Sequence, residues 1–206
     1  MKLKICGMKY QENIIEVATL QPDFLGFIFY EKSGRFFDDI MPQLPKSIKK
    51  IGVFVNASLE TILETTKKYD LQMLQLHGEE PPEYCKKLQA KHIEIIKVFS
   101  IKDNFNFDDL QAFEKVCDYY LFDTKGNLPG GNGYTFNWEI LKNYTSTKPY
   151  FLSGGIGLEN IEHLKMFFKT EASKYCYAID VNSRFEITVG LKNLEALKRF
   201  KTKLNN

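Results

Sequence analysis

Eight short apolar runs, separated by amphipathic stretches, most restrict how this 206-residue chain can fold. The runs are rich in β-branched and aromatic residues, and most are followed by roughly 8 to 15 residues with helical periodicity. Strands that alternate with helices in this way are typical of βαβ units and a parallel sheet. The predicted strands are LKIC (3–6), FLGFIFY (24–30), KIGVFV (50–55), MLQLH (73–77), IEIIKVFS (93–100), DYYLFDT (118–124), YFLSG (150–154) and YAIDVN (177–182).

Eight βα units in this length give about 26 residues per unit, close to the lower size limit of a (β/α)8 barrel. We therefore predict an α/β fold, a minimal TIM barrel formed by a single domain over residues 1–206. A doubly wound sheet is the competing architecture, but the GxGxxG and GxxxxGK[ST] signatures of its nucleotide sites are absent from the sequence.

The stretches between the strands predict helices, including DLQAFEKV and NWEILKNY. The connection after the second strand is the exception, because Pro42 and Pro45 limit any helix there to a turn or two. Near the C-terminus, apolar residues at spacings of three and four predict one buried helical stripe: Leu191, Leu194, Leu197, Phe200 and Leu204.

Charge and cysteine usage exclude several classes of partner. The 28 basic and 26 acidic residues are scattered along the chain, which argues against nucleic acid. The longest apolar run, FLGFIFY, is too short to cross a bilayer, and no secretory signal is visible, so we expect a cytoplasmic protein. The four cysteines lie too far apart in sequence for a close metal-ligand motif, which predicts reduced thiols and no metal site.

Polar residues follow the predicted strands where a barrel would build its active site. Each also has a structural explanation: a cysteine can fill a core, an aspartate can bind loop amides, an arginine can be solvated and a histidine can be satisfied in the core. Taken together they predict a ring of side chains around one mouth: Cys6, Ser33, Arg35, His77, Asp123, Ser153 through Gly155, and Asp180 through Ser183.

Two glycine-rich segments, NLPGGNG (127–133) and LSGG (152–155), predict anion binding by backbone N–H groups. Tight turns are the alternative explanation. Because phosphate sites recur at the loops after strands 7 and 8 of TIM barrels, we expect a phosphate group near these segments. The candidate phosphate-binding residues are Gly133, Gly154, Gly155, Asn182 and Ser183.

Six motifs, in order from one end of the chain to the other, resemble those of the phosphoribosylanthranilate isomerases, small barrel enzymes of tryptophan biosynthesis. Any one of them alone would be a weak signal, but six at fitting spacings are a strong one. They are KICGM, GFIFYEKSGR, LQLHGEE, DTKGNLPGGNGYTFNW, LSGGIGLEN and AIDVNSRFE.

The resemblance implies an Amadori rearrangement of N-(5-phosphoribosyl)anthranilate to 1-(2-carboxyphenylamino)-1-deoxyribulose 5-phosphate, with no cofactor or metal. By similarity, Asp123 is the general acid and Cys6 the general base. For the base, we expect nearby positive charge to lower the thiol pKa of Cys6. Arg35, on a loop expected to be exposed, pairs by resemblance with the anthranilate carboxylate, and His77 and Asp180 are expected to contact the substrate.

The chain departs from the family pattern at four positions. Gly34 replaces a proline, so its loop is expected to be more mobile, and Asn132 replaces a threonine. Asn137 replaces an aspartate, which it can match as a helix cap. Arg184 replaces a glycine, and a positive φ there would cost about 1 kcal/mol or more. Either that loop is reshaped or the guanidinium helps to hold phosphate.

Two rival functions remain open at this point. Another sugar-phosphate barrel enzyme, such as an indole-glycerol-phosphate synthase or a pentose-phosphate epimerase, should place lysine or metal-ligating histidines at strand ends, where only His77 is apparent. A non-catalytic barrel that binds phosphometabolites would not need both Cys6 and Asp123. The sequence is compatible with a monomer or a homodimer.

Overall fold

The eight predicted strands form a closed parallel barrel in a computed structural model that describes residues 1–102, 104–124 and 135–205. Each strand pairs with the next, and the last pairs with the first. The predicted TIM-barrel architecture is therefore confirmed, and its eight strands differ from the predicted ones only at their ends. The strands are β1 (Lys2–Ile5), β2 (Phe24–Ile28), β3 (Lys49–Phe54), β4 (Met73–Leu76), β5 (Glu94–Ile101), β6 (Tyr119–Thr124), β7 (Tyr150–Leu152) and β8 (Cys176–Val181).

Five α-helices of the described residues accompany the barrel, and none of them is long and apolar enough to cross a membrane. Two predicted helices are instead 3₁₀ segments, Phe107–Phe113 and Trp138–Asn143. In each segment the buried residues lie three apart, a spacing that matches the three-residue turn of a 3₁₀-helix. The α-helices are α1 (Gln11–Ala18), α2 (Leu59–Tyr69), α3 (Pro82–Gln89), α4 (Ile161–Phe167) and α5 (Leu194–Asn205).

The connection after β2 contains no helix, as its two prolines lead one to expect. Residues 29–48, all of them described, form turns and extended chain. Phe37 takes the place of a helix by packing its buried ring against Phe27 and Tyr69, with ring centroids 5.1 and 5.5 Å away. This aromatic contact covers the side of the barrel that an outer helix would otherwise cover.

A short antiparallel hairpin, which the sequence analysis missed, lies between β8 and α5. It consists of β9 (Glu186–Thr188) and β10 (Leu191–Lys192), with the turn completed by Gly190 at φ +84°. The prediction that Leu191 begins the last helical stripe is therefore wrong, because its backbone pairs with Thr188. The hairpin brings Glu186 and Lys192 toward the barrel mouth.

The barrel interior changes from apolar to polar along its axis. Its lower part is filled by hydrophobic side chains from several strands, including Phe24, Ile51, Met73, Ile96, Leu121 and Phe151. Above them the inward side chains are polar. Since alternate residues of a strand face the same side, Lys4 and Cys6 both point inward from β1. The polar layer positions the candidate site.

A buried ion pair ties three elements together on one side of the mouth. Lys97 Nζ on β5 lies 2.8 Å from Glu80 Oε2, and the two side chains are 4% and 2% exposed. The Glu80 carboxylate also accepts hydrogen bonds from the backbone N–H groups of Asn56 (2.8 Å) and Gly78 (3.0 Å). The pair therefore holds the loops after β3 and β4, and the second of these adjoins His77.

We predict that Glu80→Ala lowers the free energy of unfolding by about 3–5 kcal/mol, because it leaves the Lys97 ammonium buried without a counter-charge. Urea denaturation measures the difference. The matched control is Glu79→Ala, which truncates an exposed neighbour and should change the same quantity by less than about 0.5 kcal/mol. Equal losses in the two variants would show that the buried pair has no special role.

Candidate active site

A cleft at the carboxyl end of the barrel brings together the residues that the sequence analysis selected. Gly133 lies outside the described residues, and every other candidate site residue lines this cleft, alongside aliphatic side chains such as Ile28 and Val53. The candidates at the cleft are Cys6, Ser33, Arg35, His77, Asp123, Ser153, Gly154, Gly155, Asp180, Asn182 and Ser183.

Cys6 and Asp123 reach the cleft from strands that are not neighbours in the barrel. Cys6 directly follows β1 and is 4% exposed, whereas Asp123 lies near the end of β6 and is 5% exposed. Gly26 on β2 makes room for the thiol, because a Cβ at that position would come within 2.8 Å of Cys6 Sγ. A thiol and a carboxyl group therefore meet one cleft from different sides.

Lys4 lies deeper in the barrel than Cys6, and the sequence analysis did not select it. Its side chain is fully buried, and its Nζ donates to Asp180 Oδ2 at 2.8 Å and to Gln75 Oε1 at 2.7 Å. Lys4 and Asp180 are direct partners in the pairing of β1 with β8. The available signal was its position two residues before Cys6, which places both on the inward face of one strand.

The thiol pKa of Cys6 is shifted in the direction opposite to the one expected. Burial raises this pKa, because a thiolate loses solvation in the interior, and the carboxylate of Asp180 raises it further. Lys4 and Lys192 act in the opposite direction without cancelling the effect of burial. The prediction of a lowered thiol pKa is therefore wrong for the substrate-free protein, although the positive charges it invoked are present.

Asp180 combines a paired oxygen with an unpaired one. Burial raises the pKa of its carboxyl group, and the nearby ammonium of Lys4 opposes that increase. Oδ2 accepts from Lys4, while Oδ1 is buried and has no hydrogen-bond partner in the described part of the chain. Because a buried acceptor without a donor is costly, Oδ1 is suited to accept a hydrogen bond from a bound hydroxyl group.

His77 connects the Lys4 cluster to Asp123. A lysine ammonium only donates, so Gln75 accepts from Lys4 through Oε1 and directs its Nε2 to His77 Nδ1, 3.3 Å away. A neutral imidazole that accepts at Nδ1 carries its proton on Nε2, which lies 3.5 Å from Asp123 Oδ2. The ring proton of His77 therefore faces the carboxyl group of Asp123.

Arg35 is only partly exposed and is held by a carboxylate of the protein itself. Its Nε and Nη2 donate to the two carboxylate oxygens of Glu186, both at 2.8 Å. Lys192 Nζ donates to Glu186 and to Asn182 Oδ1, both at 2.7 Å. The loop that carries Arg35 is exposed at Glu31, Lys32 and Gly34, as expected, but Arg35 itself is partly buried because the unforeseen hairpin supplies its partner. Two of the five guanidinium N–H groups serve this pairing.

Gly7 allows this network to approach the first strand. Its φ is +73°, and a Cβ there would come within 2.7 Å of both Arg35 Cδ and Asn182 Oδ1. A side chain at this position would meet steric conflict as well as backbone strain. The glycine after Cys6 thus serves the neighbouring loops in addition to the turn of its own chain.

The loops after β7 and β8 present backbone donors to the cleft. Gly154 and Gly155 have φ values of +93° and +63°, and a Cβ on Gly154 would lie 2.1 Å from Thr124 Oγ1. The backbone N–H groups of Gly154, Gly155 and Ser183 donate to no acceptor among the described residues. These N–H groups are suited to bind an anion, whereas the side-chain oxygen of Asn182 already accepts from Lys192.

Three departures from the family pattern have structural outcomes. Arg184 is not among the described residues with positive φ, so the replacement of glycine brings no left-handed strain. Its Nε lies 3.6 Å from Glu159 Oε1 at the rim of the cleft. Asn137 caps its 3₁₀ segment by accepting from the N–H of Glu139 at 3.1 Å, as predicted. The carbonyl of Gly34 accepts from Lys9 Nζ at 3.0 Å, and the mobility of its loop stays a prediction. Asn132 lies outside the described residues.

Comparison with known proteins gives a consistent result over the whole chain. The family model for N-(5'-phosphoribosyl)anthranilate isomerase matches residues 3–203. The protein of that name from Parabacteroides distasonis is 42% identical, over 97% of this chain and 91% of its own. The structure of the Thermotoga maritima phosphoribosyl anthranilate isomerase has a TM-score of 0.84 and 30% identity, and covers 100% of this chain and 98% of its own.

A second solved structure is also relevant to the cleft. It is a phosphoribosyl anthranilate isomerase in complex with reduced 1-(o-carboxyphenylamino)-1-deoxyribulose 5-phosphate, with a TM-score of 0.79 and 28% identity over 100% of this chain and 98% of its own. The match of the family model over nearly the entire sequence agrees with the barrel and the cleft described above. The chain belongs to the N-(5'-phosphoribosyl)anthranilate isomerase family.

Proposed function

We propose that this protein, as one domain over residues 1–206, converts N-(5-phosphoribosyl)anthranilate to 1-(2-carboxyphenylamino)-1-deoxyribulose 5-phosphate in tryptophan biosynthesis. The observation that carries the proposal is the placement of a thiol and a carboxyl group around one cleft that is also lined by a guanidinium group and by the Gly154–Gly155 loop. We place the protein in the cytoplasm, in keeping with its four free cysteines. A monomer or a homodimer stays a prediction for its assembly.

The chemistry of the cleft suggests how the substrate lies in it. Its phosphate would bind the N–H groups of Gly154, Gly155 and Ser183, and its anthranilate carboxylate would bind Arg35. The sugar would then lie between Cys6 and Asp123. In this pose the unpartnered Oδ1 of Asp180 can accept from a sugar hydroxyl group.

Ring opening is the first step. Asp123 donates a proton to the furanose ring oxygen as the bond from C1 to that oxygen breaks, and the nitrogen lone pair forms a C1=N iminium. The ring oxygen becomes the hydroxyl group on C4. The proton on His77 Nε2 then stabilises the carboxylate that Asp123 has become.

Proton removal from C2 is the second step. The Cys6 thiolate takes this proton, the C2–H electrons form a C1=C2 bond, and the electrons of the C=N bond return to nitrogen. The resulting enolamine becomes the ketone when C1 gains a proton and C2–OH loses one, so substrate and product have the same composition. A raised thiol pKa makes the thiolate a stronger base once it is formed.

The rival barrel enzymes fit the cleft less well. Lysine does occur on β1, but the Nζ of Lys4 is bound to Asp180 and Gln75 and is not presented to the cleft as a free amine. Among the described residues, no group of three or more His, Cys, Asp or Glu side chains could hold a metal ion. A barrel that only binds phosphometabolites leaves the joint presence of Cys6 and Asp123 unexplained.

We predict that the purified protein removes the fluorescence of phosphoribosylanthranilate, and that Cys6→Ser and Asp123→Asn each lower kcat by at least about 10²-fold. Both variants are nearly isosteric, so folding should be preserved while proton transfer is lost. Circular dichroism and substrate binding serve as controls. Turnover close to wild type by Cys6→Ser would make the thiol structural, and the base would have to be another group.

We predict that Arg35→Lys lowers kcat/KM by a factor that corresponds to a loss of roughly 1.5–3 kcal/mol of transition-state stabilisation. Lysine keeps the charge but cannot make the bidentate contact with a carboxylate. Steady-state kinetics should be compared with those on N-(5-phosphoribosyl)aniline, which lacks the carboxylate. On that substrate Arg35→Lys and wild type should be nearly equal. An equal loss on both substrates would assign Arg35 to the support of Glu186 instead of carboxylate binding.

A further inference from the structure

Lys4 carries a fully buried charge that takes no part in the proposed acid and base steps. Its ammonium has three N–H donors. Two of them bind Asp180 Oδ2 and Gln75 Oε1. Cys6 lies two residues further along β1 on the same inward face, and its thiol and the Lys4 ammonium influence each other electrostatically. This buried cation is therefore fixed by two hydrogen bonds directly beneath the thiol.

The lysine stays charged in spite of its burial. Burial alone lowers the pKa of Lys4, but Asp180 and Cys6 together outweigh it, so that the pKa lies above the ordinary lysine value. The ion pair supplies the counter-charge that a buried ammonium requires. A permanent positive charge thus lies next to the sulfur that must become an anion.

Other charged groups also face the thiol. Asp180 on β8 opposes its ionisation, while Lys192 on β10 favours it and Arg35 interacts with it from the loop after β2. His77 and Asp123 line the same cleft on the other strands. Among the groups that affect Cys6, Lys4 is the strongest that favours the anion.

We propose that Lys4 is a positioning residue for the reaction, whose ammonium stabilises the Cys6 thiolate in the state that removes the C2 proton. This inference rests on the proposed function. The same ammonium orients Gln75, and through it the ring of His77 that faces Asp123. One buried cation therefore acts on both members of the proton-transfer pair, without contacting the substrate.

The test measures the ionisation of Cys6 without any substrate. The rate of alkylation by iodoacetamide is followed against pH, and the rate of Cys6→Ser is subtracted as the background of the other three thiols. Burial raises the pKa of Cys85 to about 11 and those of Cys117 and Cys176 to about 12, so this background should be small. The difference reports the Cys6 thiol alone.

Lys4→Met should raise the thiol pKa by about 1–3 units, which lowers the alkylation rate at pH 8 by at least about tenfold. Asp180→Asn should lower the thiol pKa, because it removes a carboxylate that opposes ionisation of the thiol. The matched control is Lys2→Met, which removes a lysine from the same face of β1 at the opposite end of the barrel, where its Nζ donates to Tyr177. This control should leave the thiol pKa unchanged.

The pH dependence of kcat/KM provides the link to catalysis. Activity requires the thiolate, so it should rise with pH through the thiol pKa, and in Lys4→Met this rise should shift to higher pH with recovery of most activity there. A variant that is merely misfolded would not recover. KM should change less than kcat, since Lys4 does not contact the substrate.

A folded Lys4→Met with the wild-type thiol pKa overturns the proposal. If Lys4→Met does not fold, Lys4→Gln decides, because it also removes the charge, and the wild-type thiol pKa in that variant overturns the proposal as well. If the thiol pKa changes but the pH at which kcat/KM rises does not, Cys6 is not the base. That result also overturns the proposed role of Lys4. If the wild-type protein lacks isomerase activity, the proposed function fails while the thiol measurement still reports on Lys4.

Discussion

The ion pair between Lys4 and Asp180 joins the first strand of the barrel to the last at the depth where the apolar filling ends. Two charges in such a place lose much of their solvation, and they are stable there only because hydrogen bonds and mutual attraction compensate. Gln75 provides one of these bonds. The polar layer above the hydrophobic interior is therefore built around this pair, and the candidate site rests on that layer.

The polar groups of the cleft form two networks of hydrogen bonds and ion pairs. One extends from Asp180 through Lys4, Gln75 and His77 to Asp123. The second connects Arg35, Glu186, Lys192 and Asn182, and it depends on the hairpin that follows β8. The first network suits proton transfer and the second suits recognition of a carboxylate.

The sequence predicted the barrel and most of the cleft because both follow from local patterns. Eight apolar runs mark the strands, and chemistry at strand ends marks Cys6, His77, Asp123 and Asp180. Lys4 escaped this reasoning because it lies one inward position before the strand end, where a lysine in sequence resembles a surface charge. Glu186 and Lys192 escaped because their contacts depend on a hairpin whose pairing spans few residues. The direction of the thiol pKa required the depth of burial, which no local pattern supplies.

A crystal structure of this protein with reduced 1-(o-carboxyphenylamino)-1-deoxyribulose 5-phosphate tests most directly whether Cys6 and Asp123 act on one sugar. The account predicts the sugar C2 within roughly 3.5 Å of Cys6 Sγ and the C4 hydroxyl group within hydrogen-bonding distance of Asp123. The phosphate should bind the N–H groups of Gly154, Gly155 and Ser183. A ligand whose C2 lies out of reach of the sulfur, with another side chain beside that carbon, would contradict the assignment of the base.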